Sequence, residues 1–126
     1  MSLDKPLVKC HVLPHYIAEQ SEPDNDRYVF SYTVTIKNLG RQQVQLLRRF
    51  WLITDSNQKE LVINGEGVIG EQPIIASKNE HRYTSATAIE TPLGTMQGHY
   101  TMVDHLGAEF KVEIEPFLLA IPNIIN

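Results

Sequence analysis

RYVFSYTVTIKN, residues 27–38, sets Tyr28, Phe30, Tyr32, Val34 and Ile36 in strict alternation with Val29, Ser31, Thr33, Thr35 and Lys37. Successive side chains of an extended chain point to opposite faces, so a period of two rich in β-branched and aromatic residues is a strand with one buried face. AEFKVEIEP, residues 108–116, repeats the pattern. Phe110, Val112 and Ile114 form one face, Lys111, Glu113 and Glu115 the other, and Pro116 is expected to stop or bend the strand.

Between them, Val44 to Asp55 (VQLLRRFWLITD) is apolar on both faces, as expected of a central strand with part of its second face covered. The turn-forming clusters NLGRQ and DSNQKE bound it. Further strands are expected at Val8 to Ile17, Glu60 to Ile63, Arg82 to Ile89 and Thr95 to Val103, separated by SEPDND, TPLG and DHLG. No stretch carries apolar residues at helical spacing over three turns, and no repeat of 20–50 residues is visible. About seven antiparallel strands in a chain slightly over 100 residues long predict an all-β fold, an immunoglobulin-like or fibronectin type III-like sandwich with Trp51 as a core aromatic; a small barrel is the alternative.

The 126 residues are read as a single domain, 1–126, long enough to bury a core without metal or disulfide. A net charge of −4 argues against a nucleic-acid partner, which calls for clustered Lys and Arg. No apolar run approaches the roughly 20 residues that span a bilayer. The opening MSLDKPLVKC has an early acid and no apolar signal-peptide core, and the lone Cys10 cannot form an internal disulfide; no membrane association and a cytoplasmic location are expected.

NGEGVIGEQP, residues 64–73, contains the spacing G-x-G-x-x-G found where dinucleotides bind. There the glycines open a helix whose N-terminal N–H groups meet the pyrophosphate. Here Glu71, Gln72 and Pro73 follow the third glycine. Proline disrupts a helix interior, Glu66 and Glu71 would repel phosphate, and no G-K-[ST] follows. Gly65, Gly67 and Gly70 are instead expected to permit a turn, a bulge or a close approach of strands.

EQSEP, YVFSYTVTIKN, VQLLRRFW, GEGVIGEQP, YTSATAIETPLGTMQGHYTM and FKVEIEPFLL, in this order, resemble the ApaG family over nearly the whole chain. That family is bacterial, and its domain also occurs in some eukaryotic F-box proteins and a DNA polymerase δ-interacting protein. The resemblance implies a fibronectin type III-like sandwich, no established enzymatic activity, use in protein–protein contacts, and an association with cobalt resistance and magnesium efflux. Where the family commonly carries Arg-His-Trp, this chain has Arg49, Phe50 and Trp51, so no role can rest on that histidine here; Ala86 stands where a glycine often follows Tyr-Thr-Ser.

Catalysis has no coherent residue set. Cys10 and His11, adjacent on a strand, face opposite sides, no G-x-S-x-G occurs, and Glu113 and Glu115 share a polar face with Lys111. For metal, His11 and His15 on a strand stand roughly 13 Å apart. His99, Asp104 and His105 are the better ligand candidates if the DHLG turn folds back, although their spacing matches no recognised motif. No cofactor is expected. The partner-binding candidates are Arg48, Arg49 and Trp51 with neighbouring Phe50, and the loop residues Gly65, Glu66, Gly67, Gly70, Glu71 and Pro73, because arginine and aromatics anchor interfaces. The tail FLLAIPNIIN, with Phe117, Leu118, Leu119, Ile121, Ile124 and Ile125, either completes a sheet or offers an edge that would make a homodimer. The expectation is a non-enzymatic protein-interaction module with an unidentified protein partner; the alternative is a module for a divalent metal or a phosphate or pyrophosphate compound.

Overall fold

The computed structural model describes residues 5–123. Eight strands form two antiparallel sheets: β1 (Val8–Tyr16), β2 (Tyr28–Asn38), β3 (Val44–Asp55), β4 (Glu60–Glu66), β5 (Ile74–Ile75), β6 (Glu80–Ile89), β7 (Leu93–Val103) and β8 (Glu109–Ala120). One sheet has the order β1-β2-β6, the other β4-β3-β7-β8, with β5 also paired to β3. The fold is an all-β sandwich. The strand number is one more than the sequence predicts, because the two-residue β5 is too short to show a period; the helical content is two short 3₁₀ turns, 18–20 and 23–25.

The alternation in β2 reads as expected. Phe30, Tyr32, Val34 and Ile36 are buried, and Trp51, Ile53, Met96, Tyr100, Met102, Val112, Ile114 and Leu119 meet them from the second sheet. Trp51, 1% exposed, stands edge-on to Tyr32 across the sandwich at 5.4 Å between ring centroids and to Tyr100 and Phe117 at 6.1 Å each. Such T-shaped contacts set the positive ring edge against a negative ring face. The hydroxyls of Tyr83 on β6 and Tyr100 on β7 hydrogen-bond to each other, a polar link between the sheets deep in the core.

β3 is central, as expected, but its two-faced apolar pattern has a further cause. Leu46 pairs with Met102 and Arg48 with Thr101, so Leu47 is an extra residue, a β-bulge. The bulge reverses the phase of the strand. Val44 and Leu46 point inward before it; Arg49, Trp51, Ile53 and Asp55 take the inward positions after it, while Arg48, Phe50 and Leu52 are more exposed. A second bulge sets Glu115 and Pro116 opposite Gln97. Pro116 therefore bends β8 without ending it, since its missing N–H falls where the ladder is already interrupted.

The tail as far as Ala120 completes the second sheet as edge strand β8, with Leu119 buried and Leu118 exposed; Ile124 and Ile125 lie outside the described residues. The edges β1 and β8 pack together along one side of the sandwich, whereas the edges β4 and β6 make no comparable contact. That second side carries the glycine-rich segment.

Candidate functional site

Residues 60–75 run along one edge of β3 with a detour in the middle. β4 pairs with Arg48–Thr54, β5 pairs with Val44 and Gln45, and the chain between them leaves the sheet at the Leu47 bulge. The base of the detour is held there. Gly67 N–H and Gln72 Nε2 donate to Leu47 O at 2.8 and 3.0 Å, and Leu46 N–H donates to Pro73 O at 3.0 Å. At the tip, Val68 and Glu71 exchange backbone bonds of 2.8 and 3.0 Å around Ile69 and Gly70, whose φ angles are 48° and 74°. Positive φ at both central residues is the signature of a type I′ hairpin turn.

The glycines thus form a turn, and β5 rather than a helix follows, so the helix-dependent dinucleotide arrangement is not what this spacing encodes. Gly67 has φ 66°, and a Cβ there would lie 2.3 Å from Glu71 O; no other residue fits without moving the backbone. Ile69 is the unexpected member. A β-branched residue in the left-handed region is strained, and this one is 61% exposed, whereas the adjacent Val68 is buried and pins the turn to the core.

The sequence cluster Arg48–Trp51 divides between two faces. Arg48 points outward and pairs with Glu109 at 2.8 Å, both side chains about half exposed, and Phe50 stacks on His99 at 5.0 Å. Arg49 points inward and donates from Nη1 to Glu66 O and Gly67 O at 3.0 and 2.9 Å. It clamps the detour. Gly65 lies beneath the guanidinium, where a Cβ would come within 3.1 Å of Nη1. Trp51 is corrected here: it is a core residue that lies behind the surface, not on it. Of the other candidates, Glu66, Gly70 and Glu71 are exposed, Pro73 is half-buried and Gly67 is buried.

Beneath the turn, between the free sides of the sheets, lies a cavity of ≈ 280 Å³ walled by Tyr32, Tyr83 and Trp51, with Arg49, Ser85 and Glu66 as its polar members and Val68 and Ile69 above. Tyr32 and Ser85 are register partners across β2 and β6. Burial pushes the Tyr83 hydroxyl well above the usual tyrosine range and keeps it neutral. The Trp51 indole Nε1 is a buried side-chain polar atom with no hydrogen-bond partner among the described residues. Sequence reasoning missed Tyr32, Tyr83 and Ser85 as site residues; the inward parity of YTS is legible at 83–85, but the register that sets it opposite Arg49 is not. A larger groove, ≈ 440 Å³, follows the β1–β8 seam past Lys9, His11, Glu113 and Glu115 and contains none of the candidates from Arg48–Trp51 or the glycine loop.

The metal candidates are not assembled. His99 lies mid-strand against Phe50, Asp104 accepts from Leu106 N–H and Ala108 N–H as the organiser of its own turn, and His105 is exposed. Among the described residues no group of three or more His, Cys, Asp or Glu is placed to hold a metal ion. His11 and His15 are both exposed along β1, while Cys10 turns inward, its thiol pushed up to about 12 by burial.

The ApaG domain profile matches residues 18–104. The chain belongs to the ApaG family. It is 63% identical over 121 residues to Protein ApaG of Photobacterium profundum, covering 96% of this chain and 95% of that one. It is 56% identical over 124 residues to Protein ApaG of an Escherichia coli strain, covering 98% and 99%. A crystal structure of the putative ApaA protein of Bordetella pertussis superposes with a TM-score of 0.92 at 42% identity, covering 94% of this chain and 96% of that one. This chain of the ApaG family matches these relatives over nearly their full length and shares its fold with the Bordetella structure. No helix among its described residues is long and apolar enough to cross a membrane.

Proposed function

We propose that this ApaG protein is a non-enzymatic cytoplasmic module, a sandwich of the fibronectin type III kind that acts by binding another protein along the β4–β5 edge. The observation that carries the reading is the apolar display on that edge. Four of the nine exposed large hydrophobic side chains among the described residues fall within residues 60–75: Leu61 and Val62 on β4, Ile69 at the turn and Ile74 on β5. An edge strand offers unpaired backbone groups for strand addition, and exposed side chains beside it supply specificity. The turn between the strands is held in shape before any partner arrives, which lowers the ordering cost of association.

Arg48, Glu66 and Glu71 form the charged rim in this reading, and Arg49 acts by fixing the turn. Family association with cobalt resistance and magnesium efflux then reflects the role of the partner, not ligation by His99, Asp104 and His105. The test is affinity capture with the tagged full chain beside Ile69→Asn and Leu61→Lys variants, each checked by circular dichroism. Asparagine tolerates the left-handed conformation, and a lysine on an edge strand opposes strand addition. Loss of a discrete partner from folded variants is expected; equal recovery by all three proteins sinks the assignment.

A further inference from the structure

The cavity beneath the turn gathers several side chains that can donate hydrogen bonds: Arg49, Trp51, Tyr32 and Ser85. Arg49 spends only Nη1 on the carbonyls of Glu66 and Gly67, leaving Nε and Nη2 uncommitted to them. The Trp51 indole, a donor only, is buried without a partner among the described residues. The hydroxyls of Tyr32 and Ser85 make no hydrogen bond to another described residue, and both residues line the same space. Leaving a buried N–H unpaired is costly, so an acceptor reaching this one would recover that loss.

We propose that this cavity binds a carboxylate, with the Arg49 guanidinium as cationic anchor and the Trp51 indole N–H and the Tyr32 and Ser85 hydroxyls as neutral donors. A guanidinium fork matches the two oxygens of a planar carboxylate. The aromatic walls and Val68 suit a short apolar stem behind it. At ≈ 280 Å³ the space has room for an acidic side chain or a short free acid. Glu66 also lines the cavity, and its charge opposes an anion. One guanidinium with neutral donors offsets that repulsion for a monoanion, and much less well for phosphate, which carries more charge. Tyr83 adds no charge of its own, since burial keeps its hydroxyl protonated, and that hydroxyl is already bonded to Tyr100.

The inference stands apart from the interaction reading, because a free acid is a sufficient probe. The chain has a single tryptophan, so one indole N–H resonance reports on the site. The ¹⁵N-labelled full chain is titrated near neutral pH and at constant ionic strength with sodium acetate, with N-acetylglutamate N-methylamide and with sodium phosphate. Acetate and the blocked glutamate should shift the indole resonance downfield and saturate on the order of 1 mM, the affinity of a ligand with few heavy atoms. Tyr32→Phe, which removes a hydroxyl but keeps the ring, should weaken binding about three- to tenfold, and Arg49→Gln should abolish it.

Tighter binding of the blocked glutamate assigns the site to a partner's acidic side chain; equal or tighter binding of acetate assigns it to a free acid. Phosphate binding tighter than both overturns the carboxylate assignment. The absence of a saturable indole shift, or unchanged affinity in folded Tyr32→Phe, overturns the site. Tyr32→Phe keeps the test decisive even if Arg49→Gln loosens the turn.

Discussion

Replacing Trp51 by alanine should unfold much of the margin on which this domain stands. The indole is 1% exposed, bridges the sheets, and loses edge-on contacts with Tyr32, Tyr100 and Phe117 on truncation. Trp-to-Ala changes in a packed core cost about 3–5 kcal/mol, the lost transfer energy plus the cavity left behind. Against a total stability of roughly 5–15 kcal/mol for a single domain, that loss would be visible before any binding assay. Trp51→Phe separates two effects. It gives up part of the ring volume but removes the buried, unpaired N–H, whose desolvation costs about 1–3 kcal/mol. These terms oppose each other, and the net change should stay under about 1.5 kcal/mol. Urea unfolding followed by far-ultraviolet circular dichroism would show a large fall in midpoint for Trp51→Ala and a small change for Trp51→Phe, both with unchanged slope. A Trp51→Ala protein as stable as the parent would refute the packing argument and return Trp51 to the surface.

Three further outcomes follow from named contacts. Gly67→Ala should destabilise by at least about 1–3 kcal/mol, since φ 66° is joined by a clash 2.3 Å from Glu71 O, whereas Gly70→Ala, at φ 74° but in open space, should cost only about 1–2 kcal/mol; equal midpoints would deny the clash. Arg48→Ala should change stability by no more than about 1 kcal/mol, because its ion pair with Glu109 is half solvated on both sides, and a larger fall in thermal midpoint would show a role beyond that pair. Burial raises the folded pKa of Cys10 from 9.0 and of Tyr83 and Tyr100 from 10.0. All three are neutral when protonated, so their contribution is complete below about pH 9 and is lost as pH rises, because the unfolded chain releases protons first. The urea midpoint should fall between about pH 9 and pH 11, and a flat profile would contradict it.

The sandwich was legible where side chains alternate without interruption. Phe30 to Ile36 and Phe110 to Ile114 show their buried face directly, and the order of turn clusters locates the remaining long strands. The site was legible only as a set of residue types. Arg48 and Arg49 look equivalent in sequence, yet one extra residue at Leu47 sends the first outward to Glu109 and the second inward to the carbonyls of the turn. Bulges depend on pairing between distant strands, and a local period carries no trace of them. The same limit hid Tyr32 and Ser85, which lie 53 positions apart and become neighbours only through the β2–β6 register. In sequence Trp51 fits both a core and a contact position; only burial decides between them.

The Leu47 bulge also bears on how the molecule behaves in a crowd of its own copies. A straight β3 would let residues 60–75 run as one unbroken rail, the kind of border along which identical chains zip together into fibrils. The bulge derails it: a second chain aligning on β4 finds seven residues before the track turns away into the Gly67–Pro73 detour. A border so short can welcome a brief visitor while denying its own copies a continuous seam.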